Sequence, residues 1–148
     1  GFTLEMSFLT ERYQQMCEQL AQMDLFKEFV VSDYDIFKSL IFSKVTLTDD
    51  EFVLYRKLFY ILYSQIIKPD LYVFLYQNTD RLIENIKKRG RTYEQNISPD
   101  YLKKIHYGYL DFIQKNTAMN SLIIDVTDLD FVKHYTHYEY IIEKIREN

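Results

Sequence analysis

The sequence predicts a helix-rich, three-layer α/β fold built on a small parallel sheet. Three observations point there. Short apolar, β-branched runs at 28–32, 71–76 and 121–126 read as strands. Amphipathic helical patterns separate them, in the order α-β-α-α-β-α-α-β-α, and strands separated by helices pair in parallel through right-handed crossovers. The 148 residues are 47% hydrophobic and 17% aromatic, enough for one domain with a real core. No repeat and no Pro/Gly/Ser linker interrupts them, so a single domain over 1–148 is expected.

The elements follow from spacing and punctuation. Phe2, Met6, Leu9, Tyr13, Met16, Leu20 and Met23 recur at steps of four and three, which predicts a helix over 3–23. Glu28-Phe29-Val30-Val31-Ser32 reads as a buried strand ending at Ser32-Asp33. A helix through Ile36, Phe37, Leu40 and Ile41 follows. Thr48-Asp49-Asp50-Glu51 has the form of a capping box, opening a helix over 49–65 with Phe52, Tyr55, Leu58, Phe59 and Leu62 inward. Leu71 to Tyr76 is a near-continuous apolar run, as expected of a strand buried on both faces. Asn78 or Thr79 caps the next helix, which ends near Lys88. Ser98-Pro99 places an N-cap before a Pro at the first helical position, starting a helix that reaches about Lys115. Ser121 to Val126 is the third strand, and a helix over 135–146 closes the chain.

Composition excludes several classes. One Cys rules out an internal disulfide framework. Apolar runs all fall short of the ~18 residues of a membrane span, and the acidic and basic start GFTLEMSFLTER does not read as a signal peptide. A cytoplasmic protein is expected, with no membrane partner. Eighteen Lys+Arg against 22 Asp+Glu give a net charge of −4, so general binding to nucleic acid backbone is not expected. There are only 3 glycines, Gly1, Gly90 and Gly108. Average usage would give about 10. Neither GxGxxG nor GxxxxGK[ST] can be assembled from them.

The segment most specific to chemistry is Arg89-Gly90-Arg91-Thr92-Tyr93-Glu94-Gln95, with Lys87 and Lys88 ahead of it. Gly90 lets the backbone turn between two guanidiniums. Planar Arg forks match phosphate oxygens and neutralise charge on a transferring phosphoryl group. The competing reading is a solvated basic helix end favoured by the helix dipole. That reading is preferred for Lys87 and Lys88, while for Arg89 and Arg91 composition leaves both open. Cys17 reads as a packed small residue. His106, His134 and His137 have no metal-ligand spacing, so no metal site is assigned.

RGRTYEQNISPDYLKKIHYGY resembles the lid and following helix of the deoxynucleoside kinases. KPDLYVFLYQNTDRLIENIKKRGR is similar to the strand and helix leading into that lid. VVSDYDIFKSLIFSKVTL resembles the middle strand and next helix, LIIDVTDLDF the last strand and adenine-side loop, and FTLEMSFLTERYQQ the substrate-side helix. The likeness covers in effect the whole chain and is nearest to bacterial purine-preferring members. It implies a P-loop-kinase-like sheet and ATP- and Mg²⁺-dependent phosphorylation of a deoxynucleoside 5′-hydroxyl. Arg89 and Arg91 match the lid arginines on the transferring phosphates, and Glu94 matches the acid on the sugar 3′-hydroxyl. A carboxylate suits that task because it only accepts. Arg12 matches the Arg near the base on the substrate-side helix. The resemblance also assigns Asp128, in the adenine-side loop, to ATP.

Three departures accompany the resemblance. Glu5 falls where many members carry a Gln that reads the base edge, and a carboxylate can only accept. Ser32-Asp33-Tyr34 stands where members carry an acid-Arg-Ser motif. One gapping puts Asp33 in the Arg slot, and another puts it on an acid that contacts the base. Its competing reading is an N-cap for the helix through Ile36. The family's P-loop, first strand and catalytic carboxylate match nothing in the 148 residues. The expectation is therefore the C-terminal two-thirds of a kinase domain, inactive by itself. The alternative is a degenerate, non-catalytic module for binding or dimerisation, possibly fused to a pterin pyrophosphokinase domain as in some bacterial relatives. A homodimer is expected, because members typically pair through helices and because strand edges lacking a neighbour favour association.

Overall fold

The computed structural model describes residues 1–21 and 29–148. The chain divides into two compact units, Gly1–Lys68 and Pro69–Asn148.

The first unit is helical. Helix α1 (Phe2–Ala21) carries the expected stripe: Leu9 is fully buried, and Phe2, Met6, Tyr13 and Met16 are half-buried. Met23, the last residue of the predicted stripe, lies outside the described residues. Helix α2 (Phe37–Thr46) buries Phe37, Leu40, Ile41 and Ser43. Helix α3 (Asp49–Tyr63) starts at Thr48, whose amide donates to Glu51 Oε2 at 3.0 Å, the reach-back that the capping sequence predicts. Tyr55 and Phe59 of α3 are fully buried. Phe59 meets Phe37 at 5.7 Å and Tyr63 at 5.8 Å between ring centroids, and Phe37 meets Tyr63 at 4.5 Å. This aromatic stack is the centre of the unit.

The strand expected at 28–32 does not form over its described residues. Residues 29–32 are irregular, and Phe29, Val30 and Val31 are 77%, 54% and 85% exposed. Glu28 lies outside the described residues. β-Branched residues favour extended backbone, but a strand is stable only where its amides and carbonyls find a ladder. Among the described residues the sheet has two strands, not three, and neither pairs with 29–32.

Those two strands lie in the second unit. β1 (Tyr72–Tyr76) and β2 (Ser121–Asp125) pair in parallel, with Tyr72 opposite Ser121 and Tyr76 opposite Asp125. Helix α4 (Thr79–Arg89) and helix α5 (Pro99–Lys115) lie between them in sequence, and helix α6 (Tyr135–Arg146) follows. Val73 and Leu122 pack with Ile124, Val126 and Ile141 on one face of the sheet. On the other face Phe74 stacks on Tyr109 at 5.3 Å and Tyr76 meets His106 at 4.8 Å. Helices thus cover both faces, giving the predicted three layers in miniature. Burial is less complete than the apolar run of β1 implied. Leu75 is 40% and Ile123 43% exposed, because with only two strands both are edges. His106 is buried with no partner for its Nε2, and burial lowers its pKa, which favours the neutral ring.

Helix ends obey their signals. Asn78 Oδ1 accepts from the Arg81 amide at 2.9 Å, and Ser98 Oγ accepts from the Tyr101 amide at 3.1 Å. Gly90 ends α4 in the left-handed conformation, φ 71°, where its amide donates to Ile86 O at 3.2 Å. A side chain there would be strained, which explains a Gly between two arginines.

Candidate active site

The Gly90 turn aims the chain from α4 into one 3₁₀ turn, Thr92–Glu94. That reversal brings Glu94 back onto both arginines. Arg89 Nε and one terminal nitrogen both donate to Glu94 Oε2, at 2.9 and 2.6 Å. Arg91 lies 3.5 Å from Glu94 Oε1 and donates to the Tyr93 hydroxyl at 3.2 Å. The Glu94 side chain is only 11% exposed, while Arg89 and Arg91 keep about half of theirs in solvent, 50% and 53%. Gln95 donates to the Ile86 and Arg91 carbonyls and pins the turn to the end of α4. The arrangement is two half-exposed guanidiniums preorganised about one largely shielded carboxylate. Guanidinium donors left over after the ion pairs suit an oxyanion, and Glu94 fits a hydroxyl donor. Lys87 and Lys88 point to solvent, as the bland reading required.

The strand ends next to this helix are also organised. The Val126 amide donates to Tyr76 O at 2.8 Å, and the Asn78 amide to Thr127 Oγ1 at 3.1 Å. The Thr127 amide bonds Asp125 Oδ1 at 2.9 Å and, with the Thr127 hydroxyl, holds the Asp125 carboxyl below the ordinary range. Asp128 is exposed and lines an open cavity of about 400 Å³ with Asp125, Leu129, His137 and Tyr140.

In the first unit, Glu5 is half-buried on α1, and the Thr46 hydroxyl donates to its Oε1 at 2.7 Å. The Tyr55 hydroxyl is buried without a hydrogen-bond partner; burial drives its pKa well up and the Glu5 carboxylate adds to that. Arg12, one helical face along, lies 4.7 Å from the centre of the Tyr34 ring. Tyr34 in turn exchanges a hydrogen bond with Ser39 at 3.3 Å. Asp33 is exposed at the bend, and it is not the acid that caps the following helix. The cap position is Ile36, and Asp35 just ahead of it forms an Asx turn: its Oδ1 accepts from the Phe37 amide at 2.8 Å, and burial pushes its carboxyl pKa up. The two-residue offset corrects the capping alternative for Asp33, since an Asx turn needs the amide two residues on.

The residues that sequence reading missed are those met through space. Thr46 is 41 positions from Glu5, and no local pattern joins them. Tyr34 was visible only as the third residue of a departing motif. The Asp130 amide donates to His137 Nδ1 at 2.9 Å, a bond for which the sequence carries no signature. No group of three or more His, Cys, Asp or Glu among the described residues is placed to hold a metal ion.

Comparison with known proteins settles the ancestry. The model of the deoxynucleoside kinase family matches residues 1–148. This chain belongs to the deoxynucleoside kinase family. It is 30% identical to a deoxyguanosine kinase of Bacillus subtilis (strain 168), covering 99% of this chain and 73% of that protein. A deoxyadenosine kinase of Dictyostelium discoideum is also 30% identical, over 77% of this chain and 47% of that protein. The fold matches a structure of deoxyadenosine kinase from M. mycoides with bound dATP, with a TM-score of 0.79 at 24% identity over 98% of this chain and 74% of the other. A second structure of that enzyme, with the products dCMP and a flexible dCDP bound, superposes with a TM-score of 0.78.

Proposed function

We propose that the full-length protein transfers the γ-phosphoryl group of ATP to the 5′-hydroxyl of a purine deoxynucleoside, and that these 148 residues, one part of a kinase domain, are inactive alone. The observation that carries the reading is the preorganised Arg89–Glu94–Arg91 cluster within a family match over the whole chain. Arg89 and Arg91 hold the phosphates, and their fixed forks stabilise charge there without reorganising. Glu94, shielded and acceptor-only, orients the sugar 3′-hydroxyl. Glu5 and Arg12 serve the base, with the Thr46 hydroxyl holding one Glu5 oxygen and leaving the other to accept. Asp33 flanks the substrate end, and Asp128 borders the adenine side. ATP supplies the transferred group and Mg²⁺ its charge neutralisation; the described residues offer no ligand set for that ion.

The test is phosphorylation of each of the four deoxynucleosides by the full-length protein, read as 5′-monophosphate formed. Turnover of deoxyguanosine or deoxyadenosine above the pyrimidines is expected. Absence of any monophosphate would leave the non-catalytic module as the reading.

A cytoplasmic homodimer completes the proposal. Val53, Leu54, Tyr60 and Ile61 are exposed on one face of α3, an apolar stripe suited to a second copy of the chain. Light scattering should give a dimeric mass for the wild type and a monomeric one for Ile61→Glu. A monomeric wild type at assay concentration would refute the pairing.

A further inference from the structure

The segment between β2 and α6 is closed by one unusual bond. Within it the Asp130 carbonyl accepts from the His134 amide at 2.9 Å, and Asp130 Oδ1 accepts from the Lys133 amide at 3.1 Å. These bonds fold 130–134 into a compact turn. Leu129 and Phe131 on either side pack against the Ile124, Val126 and Ile141 core. The amide of Asp130 itself points at α6 and donates to His137 Nδ1 at 2.9 Å. A backbone amide can only donate, so that ring nitrogen is an unprotonated acceptor and the ring proton sits on Nε2. His137 also lines the cavity that contains Asp128, two residues before the pinned amide.

We propose that His137 is a positioning residue: its Nδ1 pins the Asp130 amide and thereby sets the Asp128 segment at the cavity rim. The consequence for ATP rests on the kinase reading of Asp128; the pin itself does not.

The discriminating variant is His137→Asn, because the new Oδ1 takes the place of Nδ1 as an acceptor. Amide exchange at Asp130 is followed by NMR at pH 8, corrected for intrinsic exchange. Protection in the wild type is expected to exceed that in His137→Ala roughly tenfold, about the size of one hydrogen bond. His137→Asn should keep most of that protection. Protection in His137→Ala equal to wild type overturns the pin. For the positioning role, KM for ATP of the full-length protein at pH 8 should rise in His137→Ala and recover in His137→Asn, with KM for the deoxynucleoside unchanged. An ATP KM indifferent to both variants overturns positioning even where exchange upholds the pin. A wild type that does not turn over at all sinks the kinase reading and the positioning role with it, and leaves the exchange result to decide the pin.

Discussion

Replacing Arg89 with Ala in the full-length protein is expected to lower kcat about 100- to 1,000-fold, the usual loss when one preorganised donor to a charged transition state is removed. The fold should survive, because the residue is half-exposed and surface ion pairs are worth only about 0–1 kcal/mol. Arg91, 3.5 Å from Glu94 Oε1, is untouched by the change, so the turn should keep one of its two clamps. Arg89→Lys should recover little. Arg89 presents two nitrogens to a single carboxylate oxygen, a fork that an ammonium cannot reproduce. The deciding measurement pairs steady-state kinetics with a melting curve. A lost rate with an unchanged Tm places Arg89 on the reacting phosphates. Full activity in Arg89→Ala would remove the lid assignment, and a fall in Tm matching the fall in rate would make it a structural brace.

The turn at 89–95 was legible because its information is local. Gly90 between two arginines, with an acid three residues after the second, specifies a left-handed turn and an ion cluster from consecutive positions. The caps at Asn78 and Ser98 were legible for the same reason, each residue acting on an amide three positions on. Residues 29–32 show the opposite case. Val30 and Val31 favour extended backbone, yet extension becomes a strand only beside a partner, and no run of side chains encodes the neighbour. Asp33 and Asp35 show how fine the limit is. Both are acids just ahead of the same helix, and only the one placed two residues before the Phe37 amide bonds it. The Thr46–Glu5 and Asp130–His137 bonds lay beyond reach, since both depend on how elements pack.

The family resemblance is the ground for the roles proposed for Glu5, Arg12 and Asp128, which spacing could not suggest. Physical reading of the structure adds what resemblance could not. Glu5 is held by a hydroxyl donor from α2 beside a phenol that has no partner. An acceptor fixed on one side selects for a donor on the other, whereas an amide at that position could turn either face to a ligand. The departure at position 5 therefore replaces a group that can donate or accept with one that only accepts.

Phe59→Ala carries the largest expected effect on stability, a loss of about 3–5 kcal/mol. The ring is fully buried and stands against Phe37, Tyr60 and Tyr63 at 5.7, 5.5 and 5.8 Å. Its removal deletes apolar contact on every side, and it leaves a cavity that three aromatic neighbours on two rigid helices cannot collapse to fill. Domains are stable by only about 5–15 kcal/mol in total, so one such deletion takes about a fifth of the margin at the least. The drop in Tm should be roughly 6–20 °C, given about 2–4 °C per kcal/mol at this chain length or somewhat above it. Tyr93→Ala is the matched control: its ring is 76% exposed, and the change should stay within about 0.5 kcal/mol. Urea melts of the two variants give the comparison directly. Equal midpoints would mean that the stack around Phe59 does not hold the first unit together, and the burial argument for α1, α2 and α3 would fail with it.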